Sequence, residues 1–222
     1  MADAHVYRDP RPLAGTVVVF MWVFLVATVV SLFAVVFETL HLTGAMPSNP
    51  VPDSGGLTLA ELIASFTRLG SFVLYVVTGV LCLRWFYRVT ANARTFNPGM
   101  KAKPGWAVGW FFVPIAFLWK PFEYFSETWR VSHQPAAPAG VDTPGLLRWW
   151  WGLWLTMLIA DNVSGRLSMM GGPDTMVVSN VFELLADAVT IPLTLLVIRI
   201  LRALSAQQAH THDLGDQASV FA

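Results

Sequence analysis

The sequence has few cysteines and few charged residues. It holds a single cysteine, Cys82, so no internal disulfide can form, and no His or second Cys stands beside it to build a metal site. Only 13% of the 222 residues are charged, and 14 Lys and Arg balance 14 Asp and Glu. Without a broad basic field, nucleic acid is not an expected partner.

Common catalytic motifs are also missing. The chain contains no nucleophile elbow, no phosphate loop and no zinc-protease helix motif. No His falls inside an apolar stretch, which excludes haem ligation by two His from different spans. We therefore predict no catalytic residues, no cofactor and no metal site, and a protein that is not an enzyme.

Apolar residues, in contrast, are abundant and grouped. They make up 55% of the chain, with fifteen Phe and ten Trp, and they form uninterrupted stretches of roughly 20 residues, the length that a bilayer about 30 Å thick demands. The first stretch follows Arg8 and Arg11 and runs for about 24 residues, longer than a signal-peptide core of roughly 7–15. We expect an uncleaved anchor and an all-α membrane protein.

Four transmembrane helices are predicted from these stretches and their start signals. Pro12 precedes the first, Thr58 with Glu61 forms a capping box before the second, and Pro144 begins the third. The polar C-terminal end is predicted to be disordered. The predicted organisation is a cytoplasmic N-terminal segment 1–12, one membrane domain 13–204 with spans at about 13–40, 59–89, 144–163 and 176–204, and a disordered cytoplasmic tail 205–222.

A shorter apolar block follows the second span. Residues 105–119 carry Pro114 in the middle and are too few for an ordinary span, for which about 17 is the minimum. In the following segment, Phe122, Phe125 and Trp129 recur at helical spacing opposite charged residues, which is typical of a helix in the membrane interface. We predict a re-entrant or interfacial helical hairpin over 105–131.

The distribution of Lys and Arg favours four crossings over five, because these residues concentrate in cytoplasmic segments. If the 105–119 block crossed, Lys120, Arg130 and Arg148 would lie outside. If it returns, only Arg166 is in an outer loop and Arg68 is within a span. The chain is then a multi-pass protein of the cell membrane with both termini in the cytoplasm, and twelve positive residues lie on that side: Arg8, Arg11, Arg84, Arg88, Arg94, Lys101, Lys103, Lys120, Arg130, Arg148, Arg199 and Arg202.

Ionisable and polar residues inside the spans form a candidate site. Such residues are costly in a bilayer and mark either a functional site or a set of groups that pair to hold helices in register. Both interpretations stay open, and a pair between Arg68 and Asp187 is predicted, with Asp161 as the alternative or additional partner of Arg68. The candidate cluster consists of Arg68, Tyr75, Asp161, Glu183 and Asp187.

Between the second and third spans stand Asn92-Ala93-Arg94, Pro104-Gly105-Trp106-Ala107-Val108-Gly109-Trp110, Pro114, Leu118-Trp119-Lys120-Pro121 and Trp129-Arg130. This signature resembles a bacterial multi-span membrane-protein family catalogued only as a domain of unknown function. Phe117 departs from it, since Asn commonly stands there in the family. The resemblance implies a multi-span protein of the bacterial inner membrane and supplies no activity. Gly105 and Gly109 are read as positions of close helix approach. The signature positions are Arg88, Asn92, Arg94, Pro104, Gly105, Trp106, Gly109, Trp110, Pro114, Trp119, Pro121, Trp129 and Arg130.

The leading functional hypothesis is a non-enzymatic accessory or scaffold component of a membrane assembly, with the lipid bilayer and other membrane-protein subunits as partners. The alternative is a small cation- or proton-coupled transporter or channel component, in which intramembrane carboxylates bind the ion. An enzyme acting on a lipid ranks third, because the sequence offers no spaced catalytic set.

Overall fold

A computed structural model describes residues 6–45 and 59–220, without the side chains of residues 59–68, 173 and 218–220. This part of the chain contains helices and no strands, as the apolar stretches predicted. The helices are α1 Arg11–Leu42, α2 Leu59–Phe96, α3 Pro104–Gly109, α4 Lys120–His133, α5 Gly145–Met170 and α6 Pro173–Val220, with short 3₁₀ turns at Trp110–Phe112, Ala116–Leu118 and Pro138–Gly140.

Three of the described helical stretches are long and apolar enough to cross a membrane: Arg11–Leu42, Leu69–Phe96 and Asp174–Gln217. Their exposed surface is rich in Val, Leu and Phe, which is the composition that faces lipid. At 26 residues α5 has the length of a span, but Arg148, Asp161 and the tryptophans make it less apolar. Three helices could therefore span a membrane, which is consistent with the predicted membrane protein.

The prediction of a disordered tail is wrong. Helix α6 runs without a break from Pro173 to Val220, so residues 205–220 continue the helix. At 1.5 Å per residue its 48 residues extend about 72 Å, more than twice the thickness of a hydrocarbon core. The polar composition of this end suggested disorder, but Ser205 and Gln208 are buried against other helices, and this packing stabilises the extension.

The chain divides into two compact units. Unit 1 comprises Met1–Met21, Thr78–Trp151 and Leu195–Ala222, and unit 2 comprises Trp22–Val77 and Gly152–Thr194. Each unit therefore draws on α1, α2, α5 and α6, while α3 and α4 belong to unit 1 alone.

An aromatic core in unit 1 includes the apolar face of α4, and the interfacial position of this helix stays a prediction. The Phe125 ring packs with its centroid 4.8 Å from that of Phe86 and 5.1 Å from that of Trp150, and only 4% of Phe125 is exposed. Trp129 is likewise buried. The amphipathic spacing of α4 thus packs against protein, because a helix with one apolar face can bury it on other helices as well as on lipid.

The apolar block at 105–119 is not one continuous helix. The six residues of α3 extend about 9 Å, too short to cross a bilayer. Two 3₁₀ turns follow, and Ile115 between them has φ +66° and ψ −51°. It is the centre of a γ-turn closed by the Ala116 N–H, which donates to the Pro114 carbonyl at 2.7 Å, and this conformation is strained for a β-branched residue. The indole N–H of Trp151 stabilises this bend by donating a hydrogen bond to the Leu118 carbonyl at 3.1 Å.

The expected close helix approach at Gly105 and Gly109 is wrong. A Cβ at Gly105 would meet nothing within 4 Å, and one at Gly109 would meet only the Trp106 ring of its own helix, at 3.4 Å. Spacing of small residues alone does not identify a partner helix, and within residues 6–45 and 59–220 no helix lies against this side of α3.

In unit 2, α5 and α6 form a helical hairpin. Gly171 and Gly172 link the helices with φ of +70° and +91°, a conformation that glycine adopts without strain. The hydroxyls of Ser164 and Ser179 lie 3.1 Å apart across the hairpin, and Ser179 also donates to the Ser164 carbonyl at 2.9 Å. Small hydroxyl side chains of this kind let two helices pack closely in a bilayer.

A truncation tests the structural role of the C-terminal part of α6. A chain ending at Leu204 is expected to unfold at a lower temperature in detergent than the full chain, because it lacks the buried Gln208. A chain ending at Asp216 retains Gln208 and is expected to behave like the full chain. Thermal unfolding followed by size-exclusion chromatography measures both, and equal stability of the two truncations would contradict the packing described for unit 1.

Candidate functional site

A polar cavity of about 120 Å³ lies within unit 2, and side chains from α1, α2, α5 and α6 line it. This volume accommodates a few water molecules or a small hydrated ion. Apolar groups close part of the wall, including Phe24 and Met157. Its polar lining consists of Thr28, Ser31, Ser71, Tyr75, Asp161, Asp187 and Thr190.

Two carboxylates from different helices face this cavity. Asp161 comes from α5 and Asp187 from α6, and the negative charges of Asp161 and Glu183 both act on Asp187. The Ser31 hydroxyl lies beside the Asp187 carboxylate as a hydrogen-bond donor. The other oxygen, Asp187 Oδ2, is buried without a hydrogen-bond partner among the described residues. Such an oxygen is free to accept a bond from a proton donor or to coordinate a cation.

The structure brings together three members of the predicted cluster in the cavity lining, namely Tyr75, Asp161 and Asp187. Glu183 acts electrostatically on both aspartates without lining the cavity. The side chain of Arg68 lies outside the described residues, so its pairing with Asp187 stays a prediction.

Sequence reasoning did not assign the contribution of α1 to this site. Thr28 and Ser31 stand three residues apart in an otherwise apolar helix, so they share one face and both line the cavity. This three-residue spacing of hydroxyl side chains was the sequence feature that could have indicated a polar face on α1. It gives no indication of which other helix the face meets, because α1 and α6 are far apart in the sequence.

The family-signature residues are gathered in unit 1, where Asn92 is the centre of a buried hydrogen-bond network. Its amide accepts a bond from the Arg8 backbone N–H at 3.1 Å and donates to the Arg8 carbonyl at 2.8 Å and to Gln208 Oε1 at 3.1 Å. Gln208 in turn donates to the Val89 carbonyl at 2.7 Å and to the Ser132 hydroxyl at 2.9 Å. Asn92 and Gln208 are both completely buried.

Arg94 organises the chain reversal that follows α2. Its guanidinium donates to the carbonyl of Met100 at 3.0 Å and lies 3.4 Å from those of Ala102 and Pro98. In the same chain reversal, the Glu127 carboxylate accepts hydrogen bonds from the backbone N–H groups of Lys101, at 2.7 Å, and Ala102, at 2.9 Å. The arginine of the Asn-Ala-Arg signature is therefore used in folding a loop.

Several of the remaining signature residues also serve the architecture of unit 1. Pro104 and Pro121 are buried in the first turns of α3 and α4, where proline fits without losing a hydrogen bond. Trp106 packs on Trp110 with ring centroids 4.6 Å apart, and Trp129 stacks on His133, also at 4.6 Å. Four further positions are not buried in the core: Arg88 and Arg130 are half-buried, and Pro114 and Trp119 are exposed.

Tyr7 anchors the N-terminal segment to α6 and α2. Its ring stacks on His212 with centroids 3.9 Å apart and lies 5.9 Å from that of Phe96. Its hydroxyl is buried without a partner among the described residues. Burial, reinforced by the charge of Asp9, raises the pKa of Tyr7 from 10.0 to about 12.

A conservative substitution tests this environment. Tyr7→Phe removes an unpartnered hydroxyl, so at neutral pH we expect stability equal to the wild type or slightly higher. As the pH rises from 10 towards 12, the unfolded chain ionises Tyr7 before the folded chain does, and the wild type therefore loses stability that the variant retains. Thermal unfolding across this pH range measures the difference, and a constant difference at all pH values would contradict it.

One family model matches the chain. It is described as Domain of unknown function (DUF4328) and covers residues 49–206, which is more than half of the sequence. No curated protein and no solved structure matches. The match confirms the predicted resemblance to a family catalogued as a domain of unknown function, and it assigns no activity. The chain belongs to the DUF4328 family of domains of unknown function.

Proposed function

We propose that this protein is a four-span membrane protein of the bacterial inner membrane whose polar cavity binds a proton or a small cation, as a non-enzymatic transporter or channel component. The observation that carries the proposal is the convergence of Asp161 and Asp187 with the Ser31 hydroxyl on one cavity. In an apolar surrounding a carboxylate is costly unless it is protonated or neutralised by a cation.

The chemistry of the lining supports this ligand class. Carboxylate and hydroxyl oxygens are the ligands that hard cations prefer, and the same groups can exchange protons with enclosed water. Tyr75 and Ser71 add two more oxygens to the wall. An unpartnered oxygen at Asp187 Oδ2 leaves one position for the ligand.

A fourth span through α5 is supported by its packing. The hydroxyl pair of Ser164 and Ser179 joins α5 to α6, and α6 is itself apolar enough to cross. The two-glycine turn at Gly171 and Gly172 makes these helices an antiparallel pair, so α5 follows α6 through the bilayer. With α3 too short to cross, the number of crossings is even and both termini lie on one side.

The distribution of positive charge supports a cytoplasmic location for both termini. Unit 1 holds twelve of the 14 Lys and Arg but only seven of the 14 Asp and Glu. Unit 2 holds two Lys or Arg and seven Asp or Glu. Positive residues concentrate on the cytoplasmic side of membrane proteins. Both termini belong to unit 1.

An accessory role within a membrane assembly is the second candidate. It is favoured by the bend after α3, where 72% of Phe112 and 69% of Ile115 are exposed. Large apolar groups held outward on a strained turn offer a contact surface for a neighbouring subunit or for lipid. This role is compatible with ion binding in unit 2.

Reporter fusions test the topology. Fusions after Ala14, after Val131 and at the C-terminus are expected to report the cytoplasm, and a fusion near Pro50 the outside. The fusion after Val131 is decisive, because α3 and the turns behind it cannot span a bilayer as a helix. An outside signal at Val131 would mean that residues 105–119 cross in an extended form and that the four-span proposal is wrong.

Liposome flux tests the site. The reconstituted protein is expected to carry protons or a small monovalent cation down a gradient faster than protein-free liposomes do. Asp187→Asn removes the charge that binds the ion while keeping the side-chain shape, so flux is expected to fall to the protein-free level. Asp174→Asn serves as the matched control, since this exposed acid in the first turn of α6 is not part of the cavity.

The outcomes separate the two candidates. Flux that survives Asp187→Asn would remove the cavity from the mechanism, and Asp161→Asn should then also have no effect. No flux above protein-free liposomes for a folded, monodisperse wild type would contradict transport and leave the accessory role.

A further inference from the structure

Arg8, Arg84 and Arg88 lie near one another in unit 1. The backbone of Arg8 is held in place by hydrogen bonds. Arg8 lies in the non-helical segment before α1, and Asn92 bonds both its N–H and its carbonyl, at 3.1 and 2.8 Å. The neighbouring Tyr7 is stacked on His212, and Pro10 is buried. The exposed Arg8 side chain therefore projects from a backbone that is held on both sides.

The other two arginines belong to α2. Arg84 and Arg88 are four residues apart, so they are neighbours on one helix face, an arrangement that destabilises a helix when the charges are alike. Arg8 and Arg84 both act repulsively on the charge of Arg88. The fold thus holds three positive charges near each other against their repulsion.

No carboxylate compensates these charges within the described residues. The side chains of Arg8, Arg84 and Arg88 have no ion pair or hydrogen bond there, whereas Asp9, the nearest acid in sequence, is bonded to Arg11 at 2.9 Å. Arg94, the next arginine on α2, is occupied by backbone carbonyls. Guanidinium groups left unpaired in this way bind phosphate oxygens strongly, often through two parallel hydrogen bonds.

We propose that Arg8, Arg84 and Arg88 form a binding site for the phosphate of an anionic phospholipid headgroup. The surface of α2 favours a lipid over a soluble anion as the source of this phosphate. Val73, Val77 and Val80 stand 11, 7 and 4 residues before Arg84, which places them on the same face of α2 as the arginines, and they are 52%, 37% and 58% exposed. One face of the helix thus offers an apolar track for an acyl chain followed by positive charge for its headgroup.

Native mass spectrometry of the full chain in detergent tests the site, with phosphatidylglycerol as the anionic lipid and phosphatidylcholine as the zwitterionic comparison. The wild type is expected to retain phosphatidylglycerol in preference to phosphatidylcholine. Each arginine near a membrane surface strengthens anionic-lipid binding about fivefold, so Arg8→Gln should weaken it by about that factor and Arg84→Gln with Arg88→Gln by more.

A matched control removes an equal charge from elsewhere in unit 1. Arg199 and Arg202 are exposed on α6 at three-residue spacing, and Arg199→Gln with Arg202→Gln should keep the preference for phosphatidylglycerol. Equal losses in the two double variants would overturn the proposal in favour of unspecific surface charge. Displacement of phosphatidylglycerol by millimolar inorganic phosphate would also overturn it, since the ligand would then be a soluble anion. The result that supports the proposal is a loss confined to the Arg8, Arg84 and Arg88 variants and insensitive to inorganic phosphate.

Discussion

Two buried side-chain amides, those of Asn92 and Gln208, join four separate stretches of unit 1. Through them α2 is bonded to the N-terminal segment at Arg8, to α4 at Ser132 and to the C-terminal part of α6. An amide buried without partners destabilises a protein by roughly 1–3 kcal/mol, whereas a satisfied network is rigid and specifies one arrangement. The long α6, the ordered N-terminal segment and the position of Arg8 all depend on these bonds.

The sequence predicted the helical class and the positions of the long helices because apolar stretches and start signals are local. The helix starts lie within a few residues of those expected, at Arg11, Leu59, Gly145 and Pro173. The C-terminal extension of α6 was missed for the opposite reason. Gln208 reads as a solvated residue until its partners are known, and Ser132 and Asn92 are 76 and 116 residues away in sequence.

The same distinction applies to the candidate site. Tyr75, Asp161 and Asp187 were predictable because an ionisable or polar group in an apolar helix is conspicuous on its own. Ser31 and Thr28 were not assigned, since a hydroxyl inside a membrane helix usually bonds to its own backbone, as Thr28 does to the Phe24 carbonyl at 3.0 Å. Their role in the cavity follows from which helix faces α1, and no local pattern contains that information. The apolar face of α4 shows the same limit: its spacing predicted burial but could not distinguish protein from lipid.

The central claim is that Asn92 and Gln208 act as one unit, and a double-mutant cycle measures it. Asn92→Leu and Gln208→Leu each leave the other amide short of a partner, so each alone should destabilise the protein strongly. The double variant removes both amides, and its loss in free energy of unfolding should be smaller than the sum of the single losses by about 0.5–3 kcal/mol. Losses that add without such a difference would show that the two amides are independent and would contradict the account given for unit 1.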